Sequence, residues 1–86
     1  MTLYAVEFVR SARREFEQLP AKVVSRVLRA VRSLQETPRP HGSRKLVGEE
    51  ATYRLRVGQY RVVYEVDDAK RSVLITRVRH RKDAYQ

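Results

Sequence analysis

The side chains here that could do chemistry are mostly arginines, and their spacing is regular. Arg54 and Arg56 stand two apart in Thr52-Tyr53-Arg54-Leu55-Arg56-Val57, and Arg61 follows just beyond Gly58-Gln59-Tyr60. Arg79 closes a later apolar run, and His80, Arg81 and Lys82 come directly after it. Residues two apart on a strand share a face. Arg54 and Arg56 therefore project together, and Arg61 can join them across a tight turn. Guanidinium groups on rigid strands suit a phosphate backbone, because their planar fork matches two phosphate oxygens at once. Arg44, Lys45, Arg77, Arg81 and Lys82 would extend such a surface as nucleic-acid contacts.

Other candidate groups are few. His80 is the near-neutral titrating group of the basic cluster, and so its candidate proton acceptor. His41, in a Pro/Gly loop, is a weaker one. Tyr85, beyond the cluster, could stack on a base or pack on the core. The pairs Glu49-Glu50 and Asp67-Asp68 read as solvated turn residues, because nothing supplies the remaining ligands of a two-metal site. With no cysteine, thiol nucleophiles, disulfides and Cys zinc sites are excluded. There is no Gly-rich phosphate loop, no Ser-His-Asp pattern and no HExxH.

The elements that must hold these groups follow from periodicity. Residues 3–9 read as a strand. Ser11 is a candidate N-cap for a short helix whose Ala12, Phe16 and Leu19 form one stripe. Pro20 breaks that pattern and opens a second helix over about residues 21–36, with Val24, Val27, Leu28, Val31 and Leu34 buried. Two prolines and a glycine make 37–43 a loop, expected to run on to about residue 50. From 52 the period is two. Strands at 52–57 and 60–66 flank the Gly58-Gln59 turn, and a third at 72–79 follows the polar turn Asp67–Lys70. Strict alternation there puts Leu74, Thr76 and Val78 on one face, and Val73, Ile75, Arg77 and Arg79 on the other. It also points His80 away from Arg79. The order β-α-α-β-β-β predicts an α+β fold: two N-terminal helices on one face of a four-stranded, mainly antiparallel sheet. The opposite face becomes the basic surface.

Size and charge agree. The 86 residues allow one small domain, 1–86, with a thin core. The net charge is +9, and 15 of the 19 basic residues are Arg, which points to a polyanionic partner. No run approaches the ~20 apolar residues of a membrane span, and the N-terminus lacks the basic lead of a signal peptide. A cytoplasmic protein is expected.

Three runs together resemble the RelE/ParE toxin superfamily. They are Arg44-Lys45-Leu46-Val47-Gly48, then Tyr53-Arg54-Leu55-Arg56-Val57-Gly58-Gln59-Tyr60-Arg61-Val62-Val63-Tyr64, and finally Arg79-His80-Arg81-Lys82-Asp83-Ala84-Tyr85. The resemblance covers nearly the whole chain. It implies the toxin of a type II toxin–antitoxin pair, whose partner is a cognate acidic antitoxin. RelE-like members cut mRNA in the ribosomal A site without metal or cofactor. The ribose 2′-oxygen attacks the adjacent phosphate, leaving a 2′,3′-cyclic phosphate and a 5′-hydroxyl. Carried over by motif, the residues for this are Arg54, Arg56, Arg61, Arg79 and Tyr85. RelE itself has lysines where this chain has Arg54 and Arg56. Arginine practically cannot give up its proton, so either Arg54 and Arg56 act only electrostatically or another group takes the proton, for which His80 is the nearest candidate. The alternatives are a ParE-like inhibitor of DNA gyrase and a decayed member that only binds its antitoxin.

Overall fold

The computed structural model describes residues 3–48 and 51–82. The elements are β1 (Ala5–Phe8), α1 (Arg10–Glu17), α2 (Ala21–Ser33), β2 (Ser43–Lys45), β3 (Thr52–Val57), β4 (Tyr60–Asp67) and β5 (Ser72–His80). They form one sheet in the order β1-β5-β4-β3-β2, with β1 parallel to β5 and the other pairs antiparallel. The α+β architecture is as expected, but with five strands rather than four. The added strand, β2, lies in the predicted loop. Ser-Arg-Lys carries no apolar alternation, so only its pairing along the edge of β3 reveals it.

The core lies between the helices and one sheet face. Ala12 of α1, and Val27, Val31 and Leu34 of α2 with its C-cap, pack against Leu55, Val62, Tyr64, Val66, Val73, Ile75 and Val78. Each large side chain so buried contributes about 1.5–3 kcal/mol. Tyr64 is fully buried, and its hydroxyl donates to the Pro38 carbonyl at 2.9 Å. Burial pushes its phenol pKa up.

Two local expectations change. Ser11 does not cap α1, because Val9 is the N-cap and has no side-chain bond to offer. The Val9 N–H still bonds the Ile75 carbonyl at 2.9 Å, so β1 runs straight into the helix. Helix α2 stops at Ser33, and N–H groups of Leu34 and Gln35 bond back three residues in a tightened last turn.

The third change sets which residues lie on the open face. Strict alternation in β5 fails at a bulge: Tyr64 pairs with Ile75 and Val63 with Arg77, leaving Thr76 as an extra residue. Its hydroxyl bonds the Val63 carbonyl at 3.2 Å. Val73 and Ile75 therefore face the core together with Val78, while Arg77 and Arg79 turn to the open face. Without that extra residue in β5, Val78 and the two arginines would sit on the wrong sides.

Candidate nucleic-acid interface

The register arranges the open face in rows. Arg56 stands opposite Arg61, and Arg61 opposite Arg79. One row along, Arg44 faces Arg54, Arg54 faces Val63, and Val63 faces Arg77. Successive rows lie two residues, about 6.7 Å, apart. The hairpin linking β3 to β4 needs only Gly58 and Gln59. Gly58 takes φ +59° at the first turn position, as a type II′ turn requires. That tight turn brings Arg56 and Arg61 into direct opposition. Like charges directly opposite one another destabilise a sheet.

Two depressions mark the face. One, of about 320 Å³, has Leu46 and Val63 among its apolar lining and Arg61, Arg77 and Arg79 among its cations. The other, of about 860 Å³, opens beside the first residue of β2, where the rest of β3 is left uncovered. Its charged lining is Arg44, Arg54, Arg56, Arg61 and Arg81, with His41 beside them. Arg81 is carried there by its own N–H, which bonds the Gln59 carbonyl at 2.7 Å.

Arg79 is held from the side. Its Nε donates to Glu15 Oε2 at 2.8 Å, and Glu15 Oε1 accepts the Val78 N–H at 2.9 Å. Strand β1 pairs only as far as Ile75. The carboxylate of α1 thus satisfies the edge of β5 beyond it and fixes the Arg79 side chain in the same contact. Arg56 donates from Nε to the Gly58 carbonyl at 3.2 Å.

Of the residues marked out in the sequence, Arg44, Arg54, Arg56, Arg61, Arg77 and Arg79 share this face, and Arg81 lies at its rim. Two do not. Lys45 stands opposite Tyr53, which puts it on the other face. His80 stands opposite Tyr60, and their rings meet edge-on with centroids 5.1 Å apart. It lies in a hollow with Leu19 and Pro20 of the α1–α2 turn, and its Nδ1 accepts the Lys82 N–H at 3.2 Å. His80 directly follows Arg79 on the strand, and that alternation takes the imidazole to the helix side. Tyr85 lies outside the described residues; Lys82 is the last of the basic cluster within them. The histidine that does line the arginine groove is His41. Sequence position alone places it in a loop three residues before Arg44 and well short of Arg54, Arg56 and Arg61. Among the described residues no group of three His, Cys, Asp or Glu side chains could hold a metal ion, and no helix is long and apolar enough to cross a membrane.

Comparison with known proteins adds a family to this geometry. Residues 4–85 match the family described as ParE toxin of type II toxin-antitoxin system, parDE. The chain is 37% identical over 87 residues to Toxin RelG of Mycobacterium tuberculosis, covering 96% of this chain and 97% of that protein. Its fold superposes on the toxin–antitoxin complex RelBE2 of the same organism with a TM-score of 0.79 and 33% identity, over 92% of this chain and 99% of that one. The archaeal RelE–RelB complex from Pyrococcus horikoshii gives a TM-score of 0.82 at 29% identity, over 94% and 97% of the two chains.

Proposed function

The chain belongs to the ParE toxin family of type II toxin–antitoxin systems, within the RelE/ParE superfamily, and from that membership we propose that it cuts messenger RNA on the ribosome. The observation that carries this reading is the pair of arginine rows on a rigid sheet. Attack of a ribose 2′-oxygen on its neighbouring phosphate passes through a crowded centre of added negative charge. Fixed guanidinium groups stabilise that charge more than they stabilise the ground state.

In this proposal Arg56, Arg61 and Arg79 grip the scissile phosphate. Arg44, Arg54, Arg77 and Arg81 hold the flanking backbone, and Tyr85 stacks on a base next to the cut. No metal takes part. The products are a 2′,3′-cyclic phosphate and a 5′-hydroxyl. Between bouts of activity the face is neutralised by an acidic antitoxin in the cytoplasm, a partner supported by the complexes in which the related toxins RelBE2 and archaeal RelE occur.

The test is induction of the protein in cells, with mRNA 5′ ends and plasmid supercoiling read from the same culture. Cuts phased to codons with 5′-hydroxyl ends are expected. Intact mRNA with broken or relaxed plasmid would instead select gyrase as the target. Harmless expression with normal protein synthesis would leave a member without toxin activity.

A further inference from the structure

We infer that His41 is the proton acceptor of this reaction, an inference that rests on the RNA-cutting reading above. The need is set by the site itself. Both strand positions that could have offered a lysine base hold Arg54 and Arg56, and a guanidinium does not accept or release a proton in the working range. His80 is on the helix side, with Nδ1 occupied by the Lys82 N–H. The imidazole in the groove with the arginines is that of His41.

The chain places this imidazole by design of its turn. The Ser43 N–H bonds the Pro40 carbonyl at 2.9 Å, and the Ser43 hydroxyl bonds the same oxygen at 2.8 Å. Residues 40–43 are therefore a closed four-residue turn with His41 at its first corner. Gly42 follows with φ +97°, the conformation a type II turn demands at its second corner and one that favours glycine. Ser43 is also the first residue of β2, so the turn is fastened directly to the sheet edge. An exposed side chain at such a corner has few internal contacts to satisfy. The fold gains little from histidine there, whereas the groove gains an imidazole, a proton acceptor that its guanidinium groups cannot supply.

The charged groups facing His41 come from four strands or their ends: Arg44 from β2, Arg54 and Arg56 from β3, Arg61 from β4, and Arg81 just after β5. The step balances as follows. The 2′-hydroxyl gives its proton to the imidazole as the O2′–P bond forms. The P–O5′ bond then breaks, and the departing 5′-oxygen takes a proton from solvent. The arginines carry charge throughout and transfer no proton.

Single-turnover cleavage on programmed ribosomes, measured across pH 5 to 9, tests this. Wild type should lose rate on the acid side of neutrality. His41→Gln should be slower by about 100-fold or more and lose that acid limb. Added free imidazole should partly restore His41→Ala. Gly42→Ala, strained at φ +97° though nothing lies within 4 Å of the added methyl, should slow cleavage while keeping the acid limb, because the base is displaced rather than removed. His80→Gln should keep the wild-type profile. If His41→Gln superposes on wild type in both rate and pH profile, the inference falls and the RNA-cutting reading stands. If wild type cuts no codon at any pH, both fall.

Discussion

Arginine plays two opposite parts in this molecule. At the end of the sheet near the β4–β5 turn, Arg39 is fully matched. Its Nη1 and Nη2 bond the two Asp68 oxygens at 3.1 and 2.8 Å, its Nε bonds the Tyr53 hydroxyl at 2.8 Å, and its guanidinium lies 5.1 Å from the Tyr53 ring centre. Asp68 in turn accepts the Tyr4 hydroxyl at 2.7 Å. That knot ties the loop after α2 to the sheet. On the open face arginines stand opposite one another, and Arg79 there is bonded to the Glu15 carboxylate. A matched arginine serves the fold. Arginines set directly opposite each other lower stability, and under the proposed function they serve to bind an anionic ligand.

The largest expected effect comes from removing charge on the open face. Arg61→Ala and Arg79→Ala should each lower the single-turnover cleavage rate by about 100- to 1,000-fold, the usual loss for one donor to a developing anion. Arg39→Ala, measured beside them, should leave the rate per folded molecule unchanged. Thermal melts of the same samples should show the reverse order for Arg61→Ala and Arg39→Ala. Equal rate losses from all three would erase the distinction between the two kinds of arginine.

Glu15 lies between the two regions, because its carboxylate serves both. Glu15→Ala leaves the Val78 N–H at the strand edge without its acceptor, which should cost about 1–3 kcal/mol in a denaturant melt. It also frees the Arg79 side chain. Glu15→Gln keeps an oxygen for the Val78 N–H but loses the charge that faces Arg79. Stability should largely return in Glu15→Gln, while cleavage should stay below wild type. Full return of both would mean that Glu15 acts on the strand edge alone.

Much of this contrast was legible in the residues. Period two at 52–57 and 60–66 put Arg54, Arg56 and Arg61 on one surface, and the apolar stripes of both helices marked the face they cover. What failed was parity and length. The bulge at Thr76 left a trace in the spacing of Val73, Ile75 and Val78, which steps by two and then by three. Strand β2 is three polar residues long, too short for any period. Lys45 and His80 fall with the arginines by nearness in sequence; register puts both on the other side, as alternation from Arg79 already indicates for His80. His41 is separated from Arg54 and Arg81 by long stretches of chain, and only the closed turn at Pro40–Ser43 brings it to them. Arg39 gave no sequence signal, since its partners Asp68, Tyr53 and Tyr4 come from three distant segments.

The smallest expected effect concerns pH and the matched arginine. The Arg39 guanidinium, and then the Tyr4 hydroxyl, hold the Asp68 carboxyl below its ordinary value of 3.8. The unfolded chain therefore binds this proton more readily than the folded one. The associated stability is fully present above about pH 4 and is lost as pH falls through the depressed value. Both partners are well exposed, with side chains 39% and 58% accessible, so solvent and salt weaken the pair. Asp68→Asn should accordingly lower the Tm by only a few degrees at pH 7. The gap to wild type should narrow below about pH 4 and shrink further in high salt, while the cleavage rate at pH 7 stays put. A gap that persists unchanged as pH falls well below 3.8 would assign the knot's contribution to shape and hydrogen bonding rather than charge. The contrast with the open face would then be one of packing rather than of charge pairing.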